Sequence, residues 1–167
     1  MTDRTAHKSY DFRAGPTHYQ KSWIIADGVT VAQGTLIQVQ AGYANHWDDT
    51  SGDDRFAGIA TNADSYNNDG IWLGEITPTL NRRTPRVTVD EGAIITNFDS
   101  LGSTTAITDI GSFVYCPDSD PDNMTLESSG NTSIIGILED WRSTTDTDIR
   151  LFTMIEWLGY NYESPGS

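Results

Sequence analysis

A single cysteine, Cys116, stands among 167 residues, so no disulfide can form within the chain and stability has to come from packing or from association. Its surroundings, Phe113 to Asp120, supply acids and no base, which disfavours a thiolate and marks Cys116 as a strand residue rather than a nucleophile or ligand. Basic side chains are almost as scarce, with 10 Lys and Arg against 24 Asp and Glu and a net charge of −14. A field of that sign repels phosphate and disfavours DNA, RNA and anionic membranes as partners. No stretch approaches the roughly 18 consecutive apolar residues of a membrane span, and Met1 to Lys21 lacks the apolar centre of a signal peptide, so a soluble protein outside the conventional secretory route is expected. The three histidines, His7, His18 and His46, keep no catalytic spacing. No Gly-rich phosphate cradle precedes a helix and no Ser or Cys sits in a nucleophile elbow. The expectation is a protein that is not an enzyme and takes no cofactor.

What the chain does contain is enough apolar and aromatic material to fold. Hydrophobic residues make up 37%, which offsets the ordering entropy for one compact unit of this length. Asp far outnumbers Glu, and Asp favours turns and caps over helix interiors. Short apolar runs alternate with turn residues about every ten positions, the pattern of an all-β sandwich or barrel. Strands are predicted at 35–40, 55–60, 70–76, 86–90, 93–98, 112–116, 124–127, 133–139 and 148–157. Turn clusters fall at 48–54, 67–70, 90–92 and 128–131. Asp90-Glu91-Gly92, between Val87-Thr88-Val89 and Ile94-Ile95, reads as a tight hairpin.

One internal similarity stands out. Val29 to Val39, followed after a turn by Phe56-Ala57-Gly58-Ile59-Ala60, resembles Ile107 to Tyr115 followed by Ile134-Ile135-Gly136-Ile137-Leu138. Each copy has a Gly-containing leading strand, a polar excursion and a returning Gly-Ile strand. Two similar β excursions packed together would hide most strand edges.

Several segments look like chemistry and fall short of it. Asp49-Thr50-Ser51-Gly52 is near an aspartic-protease signature but has one residue too many and no second copy. Asp118-x-Asp120-x-Asp122 has calcium-loop spacing, yet Asn123 replaces the turn Gly and Ser129 the bidentate Glu, so a solvated hairpin is the better reading. His46 with Asp48 and Asp49 forms no closed metal site. Asn123-Met124-Thr125 and Asn131-Thr132-Ser133 match the glycosylation sequon by chance in the absence of a secretory signal.

Contact segments are more promising. Residues 1–22 carry Arg4, Lys8, Arg13 and Lys21 against Asp3 and Asp11, a local charge of +2 that leaves −16 for the rest. With Tyr10, Phe12, Tyr19 and then Trp23 they read as an extended arm that docks on a partner, or, for Trp23 to Ile25, as a strand covering an edge of its own domain. Residues 23–157 form the single β domain and 158–167 a tail. Phe152, Trp157, Tyr160 and Tyr162 suit either subunit contact or self-packing, and Arg82 and Arg83 form the basic cluster of the acidic body, able to pair with an acidic neighbour.

The modular line Val31 to Val39 with Gly58-Ile59, and Ile107 to Tyr115 with Gly136-Ile137, resembles the capsid decoration (cement) proteins of tailed phages. The resemblance spans about Val29 to Phe152 and is one of pattern. It implies a β-tulip-like, barrel or sandwich fold with an N-terminal arm and a C-terminal extension, a homotrimer on the outer surface of a virion made in the host cytoplasm, and the major capsid protein as partner. Tyr10, Phe12, Arg13, Tyr19 and Trp23 are then the capsid-contact candidates, and Arg82, Arg83, Phe152, Trp157 and Tyr160 the subunit-contact candidates. A second reading is a β-sandwich carbohydrate-binding or adhesion module in which exposed Trp47 or Trp72 stacks on sugars. A hydrolase would need paired carboxylates at defined spacing, which the sequence does not supply.

Overall fold

The computed structural model describes residues 8–15, 18–49, 54–63, 86–131 and 133–161. The predicted strand 70–76, the turn 67–70, Trp72, Arg82, Arg83 and Tyr162 lie outside them. Within them the chain forms β1 (Asp11–Arg13), β2 (Tyr19–Ile24), β3 (Leu36–Gln40), β4 (Tyr43–His46), β5 (Arg55–Ala63), β6 (Arg86–Glu91), β7 (Ile94–Phe98), β8 (Phe113–Tyr115), β9 (Ile134–Ser143), β10 (Asp146–Leu151) and α1 (Met154–Asn161). The strands make two antiparallel five-stranded sheets, β1-β7-β10-β9-β8 (the first sheet) and β2-β6-β5-β3-β4 (the second). The fold is all-β, as an open sandwich rather than a closed barrel.

Side-chain alternation explains the layering. In β3 and β5 one set of residues, Leu36, Phe56 and Ile59, faces the first sheet and joins Ile95, Val114, Leu138, Ile149 and Leu151 in the main core. The other set, Ile37, Ala57 and Ala60, meets Ile25, Val31, Val87 and Val89 in a second, smaller core. The second sheet is therefore apolar on both faces in its centre, and its small Ala side chains let it curl tightly over itself. The curl carries Ile25, just past β2, to a single parallel bridge with Ala44 in β4, one contact rather than a ladder.

Asp90-Glu91-Gly92 is not a hairpin. β6 pairs with β2 and β5, β7 pairs with β1 and β10, so at Gly92 the chain passes from one sheet to the other. The N-terminal strands make the same passage beside it, since β1 pairs with β7 and β2 with β6. The crossing is tight because Gly92 takes φ +68 and a Cβ at Gly15 would overlap the Gly92 carbonyl oxygen. Glycine at both positions is what allows two bends to nest. The described part of the expected N-terminal arm is thus an edge strand of each sheet in turn, which is the second of the two readings for Trp23 to Ile25.

The predicted strand 148–157 also divides. β10 stops at Leu151 and α1 begins at Met154, because Thr153 and Glu156 close a capping box: the Glu156 amide donates to Thr153 Oγ1 (3.2 Å) and the Thr153 amide to Glu156 Oε1 (3.3 Å). Glu91 Oε1 accepts from the Met154 amide at 3.1 Å, placing a carboxylate at the positive end of the helix. Thr153→Ala is expected to cost about 1 kcal/mol and lower the melting temperature by about 2–4 °C, read by thermal denaturation; an unchanged melting temperature would mean that the box does not set the helix start. The predicted strand 124–127 shrinks to one bridge, Tyr115 with Thr125.

The two modules seen in the sequence fold alike down to the hydrogen bond. Gly34 donates to Ala60 O (2.7 Å) and Ala60 to Thr35 O (2.8 Å); Gly111 donates to Leu138 O (2.8 Å) and Leu138 to Ser112 O (2.9 Å). Leu36 pairs with Ile59 and Ile37 with Gly58, as Phe113 pairs with Ile137 and Val114 with Gly136, and each ladder slips at the next step. The slip is a β-bulge that turns Ala57 in one copy and Ile135 in the other toward a core.

Candidate association surface

Residues 50–52 of the protease-like segment lie outside the described residues; the Asp118–Asp122 loop and His46 are used structurally. Asp118 accepts from Asn123 Nδ2 (2.9 and 3.1 Å) and the Asp120 amide (3.0 Å), Asp120 from the Asp122 amide (3.1 Å), and Asp122 from Lys8 Nζ (2.6 Å) and the Tyr10 hydroxyl (3.1 Å). The three carboxylates turn to separate partners instead of converging on a point, as a calcium loop requires. His46 Nε2 donates to the Thr30 carbonyl (2.8 Å) and Nδ1 accepts from the Ser119 hydroxyl (3.0 Å). Among the described residues no group of three or more His, Cys, Asp or Glu side chains is placed to hold a metal ion. Burial pushes the Cys116 thiol well above its ordinary value, and the thiol donates to Asp118 O (3.1 Å). Trp47, the sugar-stacking candidate, is buried in the main core, edge-on to Phe56 and Trp157, with Nε1 donating to Cys116 O (2.8 Å).

The arm residues divide in a way that the sequence did not show. Phe12 faces inward opposite Ile95, Tyr10 packs on the same core, and Arg13 reaches Asp148 (3.2 Å) and Glu139 (3.8 Å). Lys8 and Arg13 thus clamp onto the chain's own acidic body, Lys8 at Asp122 and Arg13 at Asp148. Tyr19 remains exposed, and Trp23 is partly buried against the second core beneath Lys21 Nζ, 4.1 Å from its ring centroid. Of the subunit-contact candidates, Phe152 and Trp157 are buried in their own core, which leaves those side chains no outer surface, and Tyr160 is half exposed.

Two surfaces emerge. The first is the outer edge of β2, with Tyr19, Lys21 and Trp23 along it and Arg86 beside it, donating to Ser22 O (3.3 Å). Among the described residues Lys21 and Arg86, like the exposed Arg55 at the start of β5, have no acidic partner, whereas Lys8, Arg13, Arg142 and Arg150 all do. The second lies at the β8 end of the first sheet, where Ile107, Ile110, Phe113 and Tyr160 are exposed and the Phe113 and Tyr160 rings meet edge-on at 5.5 Å. Beside it a groove of about 460 Å³ runs between Leu101, Thr105, Asp109, Ser112, Leu126 and Glu127. The sequence pointed to Tyr160 as a contact candidate and not to Ile107, Ile110 or Phe113, which the structure shows exposed beside it. Their spacing of three was a signal, because it cannot keep one face of a strand.

No protein-family model and no curated protein matches the sequence. A solved structure described as "The capsid of Myoviridae Phage XM1" is similar over 88% of this chain and 94% of that one, with a TM-score of 0.49 and 14% identity. Resemblance at that level does not carry function between chains, so function is argued from the two surfaces.

The rest of the outer face of the first sheet is an ion-pair lattice. Arg142 bonds Asp140 (2.8 Å), Asp146 (2.7 Å) and Asp148 (2.5 Å), and Arg150 bonds Glu156 (2.7 Å) with Glu139 at 3.5 Å. Burial alone would raise the Asp148 carboxyl, but hydrogen bonds from Arg142 and Arg13 outweigh it and hold it below the usual carboxylate range. A group depressed in the folded state contributes stability above its unfolded pKa and loses it as pH falls. Stability is therefore expected to be level near neutrality and to drop below about pH 4. Arg142→Gln should lower stability near neutrality and flatten that drop in urea titrations across pH 3–7, because an Asp148 carboxyl less depressed in the folded state has less stability to lose; an unchanged acid limb would show that the lattice does not govern it.

Proposed function

We propose that this chain is a non-catalytic virion protein that binds the outer surface of a phage capsid as a trimer and stabilises the lattice of the major capsid protein. The observation that carries the reading is the β2 edge: among the described residues no strand pairs with its outer side along Tyr19–Ile24, Tyr19 is exposed, and Lys21 and Arg86 have no acidic partner, on a chain of net charge −14. An unpaired edge offers its backbone to an added strand, and cations left over in so acidic a protein fit an acidic segment of a partner. The two Gly-Ile modules, on which the resemblance to decoration proteins rests, support it as paired structural units. Three copies gripping neighbouring capsomers would gain avidity without chemistry, and the acidic remainder would keep particles apart.

The test is co-sedimentation of the full chain with empty capsids. Binding that falls at least tenfold with Lys21→Glu plus Arg86→Glu, and weakens with salt, would support the reading; binding indifferent to both, or none at all, would overturn it. The sugar-binding reading loses Trp47 to the core and gains no observation in its place.

A further inference from the structure

We infer that the apolar strip at the β8 end of the first sheet, Phe113 with Ile107, Ile110 and Tyr160, is the surface by which copies of this chain associate, strip against strip. The inference deepens the trimer in the reading above and rests on it only in that respect.

The internal duplication supplies the main argument. The register match makes Phe113, Ile137 and Ile134 of one module the counterparts of Leu36, Ile59 and Phe56 of the other. Those three are fully buried, because the first sheet packs over them. On the other side of each ladder, Val114, Ile135 and Leu138 correspond to Ile37, Ala57 and Ala60, and all six are buried in a core. The outer face at β8 and β9 is therefore the same structural face that elsewhere in the molecule is covered by a sheet, and here no sheet among the described residues lies over it. Phe113 is 38% exposed where its counterpart Leu36 is 0%. Apolar side chains grouped in this way at an open sheet end mark a contact surface rather than scattered surface residues.

Charge decides what covers it. The acids on the same outer face are matched from within: Glu139 by Arg13 and Arg150, Glu156 by Arg150, and Asp148 by Arg13 and Arg142. Registers across the sheet place Phe113, Ile137, Arg150, Ile94 and Arg13 in one row. Two identical chains of net charge −14 repel each other over most of their surface; on this face Glu139, Asp148 and Glu156 are paired within the chain, and Asp109 and Glu127 beside the strip are the carboxylates without a cation among the described residues, so the repulsion is reduced. It asks for no opposite charge, unlike the β2 edge with Lys21 and Arg86. Further copies of this chain, each bringing its own apolar strip, fit it around the three-fold axis of a trimer.

Sedimentation equilibrium of the full chain, in units of 18.4 kDa, tests this. The wild type should associate, and Ile107→Glu and Phe113→Glu should each weaken association at least tenfold. Ile107, at 62% exposed on a 3₁₀ turn, is the variant whose fold is safest, checked by an unchanged circular dichroism spectrum. Lys21→Glu should leave association as it is. A wild type that stays monomeric at every concentration would overturn the inference, as would association equal to wild type in both strip variants. In the second case the trimer stands on another surface, and capsid co-sedimentation of the β2-edge variants decides the functional reading separately.

Discussion

Gly58→Ala is expected to be among the most damaging single-atom additions to this protein, lowering unfolding stability by about 3 kcal/mol or more, against a total of about 5–15 kcal/mol for a domain of this kind. Gly58 adopts φ +121, and a Cβ there would overlap the Asp90 carbonyl oxygen and lie 2.9 Å from the Asp90 carbonyl carbon and 3.1 Å from Val89 Cγ1. Those are backbone atoms of β6 and a buried side chain of the second core, neither free to withdraw. Gly136 is the same position in the second module, with Arg150 O of β10 at 2.5 Å from the added atom, so Gly136→Ala should be costly as well. Gly28, with φ +73 and open space around it, is the control: Ala there meets strain alone, about 1 kcal/mol. Urea unfolding of the three variants decides the matter. Equal losses at Gly58 and Gly28 would mean that backbone conformation, and not the close approach of neighbouring strands, fixes the module glycine.

Trp47→Ala should cost about 4–5 kcal/mol, the upper range for removing a buried aromatic. Trp47 follows β4 and stands against Phe56 at 5.4 Å and Trp157 at 6.1 Å between ring centroids. It therefore ties the second sheet to the terminal helix. Its loss also strands the Cys116 carbonyl, which accepts the indole N–H in a fully buried site, a further penalty of about 1–3 kcal/mol if no water replaces the donor. Trp47→Phe separates the two effects by keeping most of the packing and removing the donor. Chemical denaturation should rank the variants wild type, Phe, Ala in falling stability; a Trp47→Ala protein as stable as wild type would place the indole outside the core.

The legible parts of this molecule were those governed by local pattern. Strands β3, β5, β6, β7, β8 and β9 were anticipated within a few residues, because their apolar runs are short and bounded by Gly, Asp and Asn. The duplication was legible as well, since the glycine of each module is demanded by the backbone of a neighbouring strand and cannot drift. Strands β1, β2 and β4 were not, apart from the alternative reading of Trp23 to Ile25. They are edge strands, and β2 in particular is exposed along most of its length, so no apolar alternation betrays them. α1 was hidden because Phe152, Ile155 and Trp157 continue the apolar rhythm of β10, although Thr153-Met154-Ile155-Glu156 spells a capping box.

The candidate surfaces divide in the same way. Tyr19, Trp23 and Tyr160 were singled out by their residue type and keep exposed or part-exposed side chains, yet Tyr10, Phe12 and Arg13 have the same aromatic and basic character and turn inward or onto the body's own acids. Composition and spacing determined that the chain is all-β, acidic and duplicated, because turn chemistry, charge and glycine placement act over a few residues. Only the tertiary structure decided that Asp90-Glu91-Gly92 crosses between sheets instead of turning back, that Trp47, Phe152 and Trp157 belong to the core, and that Phe113 stays exposed where Leu36 is covered. Those outcomes depend on which face of a sheet another sheet reaches, and that is settled by contacts between residues far apart in the chain.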